Sequence, residues 1–312
     1  MTLNLLEIDD LSRSGLDWIL RRAEQHSDQS AARCADPSGE RRVLEGVGVA
    51  IVLEKPSLRT RVSADLAVRN LGGHPVVLQG QEVGIGTRES AEDVARTLAG
   101  YCGVICARVM RQSTLENMVG ALDSGGFGVP VVNLLSDAAH PCQAVADLLT
   151  MRQVAGDLDG RILCHVGDPN NVFRSLAYGA TMAGMRVRIA APEGHGPTAA
   201  EIAKVRSLGG ELEVTADPFD AAKGADFLYT DVWTSMGQEA EADDRRRTFE
   251  RYRIDDDLLG AASQDAVVMH CLPAHRGEEI TGSVIDGPKS RVFRQAANRL
   301  PAMVGILEWI AG

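Results

Sequence analysis

The chain has 312 residues and carries 32 Lys and Arg against 43 Asp and Glu, so its formal net charge is −11. Its length suggests two domains, and its mean hydropathy of −0.07 is ordinary for a globular protein. The excess of acidic residues argues against a general nucleic-acid or anionic-membrane binder, because phosphate-rich partners are met by basic surfaces. No apolar run approaches the ~20 residues of a membrane span, and the N-terminus lacks the basic-then-apolar layout of a signal peptide.

The six cysteines are scattered along the chain, with no Cys-x-x-Cys pair. This spacing favours neither a disulfide framework nor a zinc site. Reduced thiols in a cytoplasmic protein are the better interpretation.

Short apolar runs alternate with helical stretches along almost the whole chain. Strands are predicted at 46–53, 74–79, 103–109, 129–135, 161–168, 186–192, 211–217, 225–233 and 265–273, and helices at 59–71, 89–101 and 113–122. Continuous Val- and Ile-rich strands between helices are typical of parallel sheets that are buried on both faces. We therefore predict an α/β protein with two doubly wound parallel-sheet domains, joined by a helix around 140–153. The charged segment 236–250 is predicted to be a loop that is mobile unless something binds to it.

In open α/β sheets, ligands bind beyond the carboxyl ends of the strands. The run Ser57-Leu58-Arg59-Thr60-Arg61 follows the first strand and opens a helix, where hydroxyls, guanidiniums and helix N–H groups favour an anion such as phosphate. His140 and Gln143 share one face at the start of the linking helix and can hydrogen-bond a carbonyl or amide. Taken alone, each motif also fits a structural role.

The second half offers three further motifs. The segment 167–171 stands where a dinucleotide-binding enzyme carries Gly-x-Gly-x-x-Gly, but that pattern is absent and Pro169 removes a backbone N–H. Asp231, at a strand end beside a flexible loop, suits an ammonium group. The cluster 270–279 suggests a thiol nucleophile or metal ligands, yet its His and Cys spacing matches no zinc pattern. Cys271 alone also fits a buried strand-end thiol.

Together these motifs resemble the aspartate/ornithine transcarbamoylase family, and within it the ornithine carbamoyltransferase branch. SLRTR is similar to the family's SxRTR phosphate loop, and HPCQ at 140–143 matches as it stands. DVWTSMGQE at 231–239 and MHCLPAHRGEEIT at 269–281 resemble the second-substrate loops of the ornithine type. Asn-Arg-Leu at 298–300 resembles the C-terminal arginine motif. The resemblance covers essentially the whole chain, and it points away from the aspartate, N-acetylornithine and N-succinylornithine branches.

The resemblance implies a transcarbamoylase-like fold with a carbamoyl-phosphate-binding domain at 1–145 and an ornithine-binding domain at 146–289. A C-terminal helix at about 290–312 would pack back on the first domain. It implies transfer of the carbamoyl group from carbamoyl phosphate to the side-chain amine of L-ornithine, giving L-citrulline and phosphate without a metal or organic cofactor. It also implies a cytoplasmic homotrimer with active sites between neighbouring chains, and no nucleic-acid or membrane partner.

Site residues follow from the resemblance motif by motif. The expected catalytic residues are Arg108, His140, Cys271 and Arg299. The expected carbamoyl-phosphate-binding residues are Ser57, Leu58, Arg59, Thr60, Arg108, His140, Gln143, Cys271, Leu272 and Arg299, with Cys271 and Leu272 acting through backbone carbonyls. The expected ornithine-binding residues are Asn171, Asp231, Ser235 and Met236. Attack by a neutral amine on a carbonyl needs mainly orientation and fixed positive charge, which these residue types supply.

Three departures from the family pattern fall on the carbamoyl-phosphate side. Leu58 replaces a threonine of the phosphate loop, Glu82–Gly86 replaces a Ser-x-Gln-x-Gly loop, and 301–304 replaces His-x-Gln-Lys. Each hydrogen bond lost to a charged group costs roughly 1.5–3 kcal/mol, so weaker carbamoyl-phosphate binding is expected.

Several interpretations stay open on the sequence. The protein is a working ornithine carbamoyltransferase with a relaxed phosphate site, or an isoenzyme with reduced sensitivity to phosphate-mimicking inhibitors. Alternatively, it is a transcarbamoylase with a different donor or amine acceptor, or a non-catalytic amino-acid-binding homologue. A nicotinamide oxidoreductase shares the fold class but is disfavoured by the missing glycine pattern.

Overall fold

Parallel strands form two separate sheets in the part of the chain that the structure describes. The computed structural model describes residues 2–30, 42–234 and 239–312. They divide into two units: Met1–Ala146 with Asn298–Gly312, and Asp147–Ala297. The chain passes from one unit to the other within one helix and returns between two others. This confirms the predicted α/β class with two parallel-sheet bodies.

The first unit contains a four-stranded sheet with the order β2-β1-β3-β4. Its strands are β1 (Gly48–Leu53), β2 (His74–Gln79), β3 (Val104–Arg108) and β4 (Val131–Leu135). Its helices are α1 (Arg13–Ser30), α2 (Leu58–Asn70), α3 (Gly80–Val83), α4 (Ala91–Ala99), α5 (Gln112–Gly125), the first residues of α6 (Pro141–Ala155), and α14 (Arg299–Ala311). Buried Val, Ile and Ala residues of β1 and β3 pack against Leu115 and Met118 of α5.

The second unit contains a five-stranded sheet with the order β7-β6-β5-β8-β9. Its strands are β5 (Ile162–Val166), β6 (Arg186–Ala190), β7 (Leu212–Thr215), β8 (Phe227–Thr230) and β9 (Val267–His270). Its helices, besides the rest of α6, are α7 (Asn171–Met182), α8 (Ala199–Ser207), α9 (Pro218–Ala222), α10 (Ala242–Phe249), α11 (Asp256–Ala261), α12 (Gly282–Ile285) and α13 (Val292–Ala297). None of the helices in the described residues is long and apolar enough to span a membrane.

Each predicted strand is found, shortened by up to three residues at an end. The predicted 225–233, for example, is reduced to β8 because the chain leaves the sheet at Asp231. Polar caps set many helix starts: Ser57 begins α2, Ser90 begins α4 and Asn170 begins α7, each accepting a backbone N–H.

The prediction of a loop over 236–250 is wrong for the second part of that segment. Its second part forms α10, with Asp243 and Asp244 in the first turn and Arg246 and Arg247 in the last. Charges of these signs complement the helix dipole and stabilise a helix that hydrophobic periodicity does not reveal. Residues 235–238 lie outside the described residues.

Helix α14 is almost wholly buried and packs on α1 and α2 within the first unit. Gly305 permits this approach, since a Cβ there would lie 2.8 Å from the carbonyl oxygen of Ile19. Arg22 of α1 donates to both carboxylate oxygens of Glu308, at 2.8 and 2.6 Å. Burial opposes ionisation of Glu308, but bonds from Arg22 and His26 outweigh it and lower the pKa of that carboxyl to about 2. The C-terminal helix therefore carries a paired, ionised carboxylate into the interface with α1.

The sheet order explains where the chemically unusual residues gather. In the first unit, neighbouring strands β1, β3 and β4 are followed by the segments 54–61, 108–111 and 136–143. Because parallel strands end at the same edge, each sheet brings its post-strand residues together. In the second unit, neighbouring strands β5, β8 and β9 are followed in the same way by 167–171, Asp231 and Cys271.

Candidate active site

The first group of predicted site residues lies at the start of α2. Ser57 is the N-cap residue, and its Oγ accepts a hydrogen bond from the N–H of Thr60 at 3.4 Å. Thr60 is buried, Arg59 is half-buried and Arg61 is exposed. The unpaired N–H groups of a helix start and the positive end of its dipole attract an anion, and the guanidiniums add to that attraction.

Arg299, Gln143 and Thr60 are in direct contact within the first unit. Arg299 Nη1 donates to Gln143 Oε1 at 2.9 Å, and its Nη2 donates to Thr60 Oγ1 at 3.5 Å. All three side chains are buried. Because both acceptors are neutral, they orient the guanidinium without cancelling its charge.

His140 lies within electrostatic reach of three predicted site arginines. Burial lowers the pKa of His140 well below its usual 6.5, and the charges of Arg299, Arg108 and Arg59 lower it further. The imidazole is therefore neutral at pH 7 and acts through hydrogen bonding rather than through its own charge. The structure thus brings together the predicted residues of the first unit around concentrated positive charge.

Arg108 is positioned by a residue that the sequence analysis missed. The sheet register shifts between Ala107 and Arg108 at the end of β3. Glu54, at the end of β1, donates its N–H to the carbonyl of Arg108 at 2.9 Å and accepts the N–H of Met110 on its carboxylate at 2.5 Å. These bonds hold the backbone on both sides of Arg108. The only sequence signal was the position of Glu54 three residues before the anion loop.

A second missed network supports the turn before His140. Asn133 is fully buried and its Nδ2 donates to the carbonyl of Leu6 at 2.9 Å and to Gln112 Oε1 at 3.2 Å. Ser136 Oγ donates to the same Gln112 oxygen at 2.5 Å and accepts the N–H of Ala139 at 3.0 Å. No sequence motif marks these contacts, because their partners lie up to 127 residues apart.

In the second unit, Asp231 is the centre of a buried polar cluster. Asn170 Nδ2 donates to Asp231 Oδ2 at 2.7 Å, and the thiol of Cys271 donates to Oδ1 at 3.0 Å. Asn170 Oδ1 also accepts the N–H groups of Val172 and Phe173 at the start of α7. Asn170 therefore both caps α7 and orients Asp231. The predicted Asn171 is the first residue of α7 and is half-buried.

The segment after β9 is held by a buried His–Glu pair. Leu272 donates its N–H to His270 Nδ1 at 2.9 Å, so Nε2 carries the ring proton and donates it to Glu279 Oε1 at 3.0 Å. Both side chains are fully buried. Leu272 has φ +60°, a left-handed conformation that costs a non-glycine residue roughly 1–2 kcal/mol. The His270 contact keeps Leu272 in that conformation.

These contacts decide between two interpretations of the 270–279 cluster. Ligating atoms of Asp231, His270 and Cys271 lie within 4.8 Å of one another. However, both ring nitrogens of His270 are engaged, and the thiol serves as a donor to Asp231. The geometry therefore favours a built hydrogen-bonding cluster over a set of metal ligands.

Arg245, on α10, connects two loops of the second unit and was also missed. Its Nη2 pairs with Asp168 Oδ1 at 2.6 Å, and its Nε donates to the carbonyl of Trp233 at 2.5 Å. Burial raises the pKa of Asp168, and the charge of Arg245 opposes that rise. The predicted site residues Ser235 and Met236 lie outside the described residues, between Trp233 and α10.

The structure gives each departure from the family pattern a local setting. Leu58 exposes 77% of its side chain on the first turn of α2. Glu82 lies in α3, where its carboxylate accepts the N–H of Gln79 at 2.9 Å, and turns with positive φ follow at Gly84 and Gly86. The segment 301–304 is buried in α14. At 301–304 the departure therefore places apolar packing residues where the family has polar ones.

Comparison with known proteins yields two family matches that together span most of the chain. The "Aspartate/ornithine carbamoyltransferase, carbamoyl-P binding domain" matches residues 3–153. The "Aspartate/ornithine carbamoyltransferase, Asp/Orn binding domain" matches residues 159–310.

Individual relatives agree with these matches over nearly their full length. The ornithine carbamoyltransferase of Parafrankia is 46% identical over 95% of this chain and 94% of its own. That of Methanosarcina mazei is 41% identical over 98% of both. Among solved structures, ornithine carbamoyltransferase from Pyrococcus furiosus gives a TM-score of 0.89 at 40% identity, covering 97% of this chain and 95% of its own. The Thermus thermophilus structure gives 0.87 at 40% identity and covers all of both chains.

The charge around His140 leads to a direct prediction. The His140 ring should stay neutral across the pH range in which a free imidazole titrates, because burial and three guanidiniums lower its pKa. Nitrogen-15 NMR measures the protonation of the histidine rings, and a His140→Gln variant identifies the His140 signals. Free histidine in the same buffers gives the reference midpoint, at about pH 6.5. A His140 midpoint between pH 6 and 7 would contradict the positive environment described above.

Proposed function

Since the chain belongs to the aspartate/ornithine carbamoyltransferase family, we propose that it transfers the carbamoyl group of carbamoyl phosphate to the side-chain amine of L-ornithine. The products are L-citrulline and phosphate, and the reaction belongs to arginine metabolism. The observation that carries the acceptor assignment is the buried Asp231, oriented by Asn170 and Cys271 at a strand end. A fixed carboxylate attracts an ammonium group and repels a dicarboxylic acceptor such as aspartate.

The residues of the first unit are suited to the donor. We assign the phosphate of carbamoyl phosphate to the start of α2, with Ser57, the N–H of Leu58, Arg59, Thr60 and Arg108 as its ligands. The bound Arg299 guanidinium and neutral His140, with Gln143, would surround the carbamoyl group. As the amine attacks, negative charge develops on the carbonyl oxygen, and preoriented guanidiniums stabilise it without reorganisation.

The residues of the second unit are suited to the acceptor. We assign the α-ammonium and α-carboxylate of ornithine to Asn171, Asp231, Ser235 and Met236, and the carbamoyl NH2 to the backbone carbonyls of Cys271 and Leu272. The δ-amine has a reference pKa near ~10.4 and must lose its proton before it attacks. Asp231 would stabilise the charged form of a nearby amine, so it serves the α-ammonium rather than the reacting one.

The chemical step involves no change of oxidation state. A bond forms between the δ-nitrogen and the carbonyl carbon, the bond from that carbon to the phosphate oxygen breaks, and the nitrogen loses a proton. Phosphate leaves with the bonding electrons, and fixed positive charge supports its departure. Because this substitution needs no electron transfer and no activated water, we propose that it proceeds without a metal or organic cofactor.

The thiols favour a reducing compartment. Within the described residues, five buried cysteines form no disulfide: Cys102, Cys106, Cys142, Cys164 and Cys271. Disulfides are rare where glutathione and thioredoxin keep thiols reduced. We therefore infer a cytoplasmic enzyme whose partners are small substrates and copies of itself rather than nucleic acid.

The purified chain is expected to form citrulline from carbamoyl phosphate with L-ornithine, and not with N-acetylornithine, putrescine or aspartate. Asp231→Asn should raise the KM for ornithine by about 10- to 100-fold, the loss expected for a hydrogen bond to a charged group, and leave the KM for carbamoyl phosphate unchanged. Asp226→Asn, just before the start of the same strand, is the matched control. Equal turnover of putrescine and ornithine would rule out the role given to Asp231.

The departures favour one elaboration, an isoenzyme with reduced sensitivity to phosphate-mimicking inhibitors. Leu58 presents a methyl-bearing chain where the family has a hydroxyl next to the anion loop. Leu58→Thr is expected to lower the KM for carbamoyl phosphate several-fold, because one hydrogen bond to a charged group is regained. The same variant should bind a phosphonate inhibitor more tightly, while the KM for ornithine does not change. An unaltered inhibitor titration curve would exclude this elaboration.

We further propose that the chain is a homotrimer with intersubunit active sites, and that α2 contributes to the contact. Leu58, Val62 and Leu66 expose 77, 46 and 41% at a spacing of four residues on one face of α2. The neighbouring β2 is an edge strand. A contiguous apolar stripe beside an open sheet edge is a liability in a monomer and is suited to a second copy of the chain.

Sedimentation should give a mass of about 100 kDa, three times the 33.4 kDa of one chain. The Val62→Glu/Leu66→Glu double variant should dissociate, whereas Val214→Glu, at an exposed position of β7, should not. A wild-type mass of one chain contradicts the homotrimer. A double variant that stays trimeric removes α2 from the interface.

A further inference from the structure

A buried polar network in the second unit links residues outside the motifs discussed above to the backbone of His270. It joins Asp147 of α6, Tyr229 of β8, Gln295 of α13 and the backbone of His270 in β9. Tyr229 OH donates to Asp147 Oδ2 at 2.8 Å, and Gln295 Nε2 donates to Asp147 Oδ1 at 2.7 Å. Gln295 Oε1 accepts the N–H of His270 at 2.9 Å. All four residues are fully buried.

Gln295 takes the place of a missing neighbouring strand. Within the described residues, β9 is an edge strand of the five-stranded sheet, and backbone groups on its outer side have no strand partner there. The N–H of Val268 bonds the carbonyl of Lys289, and that of Arg291 bonds the carbonyl of Val268. Two residues further along β9, the amide oxygen of Gln295 satisfies His270.

Asp147 determines which way the Gln295 amide faces. An ionised carboxylate only accepts hydrogen bonds, so it selects the NH2 end of the amide and turns the oxygen toward His270. Tyr229 OH lies 3.2 Å from the same NH2 group and donates to the other carboxylate oxygen. In the series of hydrogen bonds from Asp147 to the His270 backbone, each bond therefore fixes which group is the donor in the next one.

These hydrogen bonds anchor a segment of the chain that takes part in the proposed reaction. His270 is the last residue of β9, and Cys271 and Leu272 follow it directly. Its ring holds the N–H of Leu272 on one side and Glu279 on the other. A shift of the His270 backbone therefore moves the Cys271 and Leu272 carbonyls together with the thiol that orients Asp231.

We propose that Gln295 is a positioning residue for carbamoyl transfer, acting through the His270 backbone and oriented by Asp147. The inference rests on the proposed function, in which Cys271 and Leu272 bind the carbamoyl NH2. Displacing reacting groups by an ångström or less lowers turnover steeply even when both substrates still bind. The effect of losing Gln295 should therefore fall on kcat more than on either KM.

Two substitutions separate positioning from packing. Gln295→Leu keeps the approximate volume and removes both bonds, and kcat is expected to fall by about 10- to 100-fold. Gln295→Glu keeps an oxygen for His270 but sets a second carboxyl against Asp147. Two carboxyls in contact share one proton, and repulsion between them grows as that proton is lost. The ratio of variant to wild-type kcat should therefore fall as the pH rises.

Besides Asp147, the titratable side chains described in this part of the second unit are Tyr229 of β8, which bonds Asp147, and the His270–Glu279 pair. The Tyr229 hydroxyl stays protonated in the pH range of the assay, because burial and the charge of Asp147 raise its pKa well above the usual 10. The double variant Asp147→Asn/Gln295→Glu reverses donor and acceptor, so that an amide again faces a carboxylate. It should recover a kcat ratio that does not depend on pH.

Val292→Ala, a fully buried core position on the same helix, is the matched control for lost stability. It should lower the melting temperature without changing kcat or its pH dependence. The rate at which iodoacetamide alkylates Cys271, located by peptide mapping, gives a second readout that needs no turnover. That rate should change in Gln295→Leu and stay at the wild-type value in Val292→Ala.

Wild-type turnover with ornithine, together with unchanged kcat, pH ratio and alkylation rate in both Gln295 variants, would overturn the positioning role. Absence of wild-type turnover would refute the proposed function instead. In that case an altered Cys271 alkylation rate in Gln295→Leu still supports the positioning of the 270–272 segment, and an unaltered rate refutes it.

Discussion

Much of this structure depends on the positive charge that arginine side chains bring to the start of α2. Arg299 is buried, and its guanidinium donates to two neutral groups, Gln143 and Thr60. Such a charge is costly in a protein interior unless an anion shares it. The packing of α14 on α1 and α2 places Arg299 here. The charge of Arg299 in turn helps to keep His140 neutral. The proposed donor site is therefore a consequence of where the C-terminal helix is anchored.

The fold could be predicted from the sequence because its signals are local. Short apolar runs predict the nine strands of the described residues, and the post-strand residues mark the edges where Arg108, His140 and Asp231 lie. Helix α10 was not predicted, because its stabilising charges follow no hydrophobic period. The sequence also does not predict the supporting residues. Glu54, Arg245 and Gln295 act through partners that are distant in the chain, and no short motif contains both members of such a pair.

The two units place side chains of opposite charge beyond the strand ends of their sheets. In the first, guanidiniums and helix N–H groups provide a site for anionic oxygen. In the second, an amide and a thiol fix the carboxylate to which we assign the ammonium group of the acceptor. This division of charge matches one anionic and one cationic substrate. The departures at Leu58, Glu82–Gly86 and 301–304 all lie in the first unit, to which we assign the donor.

Following the carbon-13 label of carbamoyl phosphate by NMR is the most direct test of carbamoyl transfer to ornithine. In the presence of the protein and L-ornithine, the label should move to the ureido carbon of citrulline, with one phosphate released for each citrulline formed. Without ornithine, phosphate release should not exceed the spontaneous rate. Label retained in carbamoyl phosphate, or phosphate released without citrulline, would contradict the account.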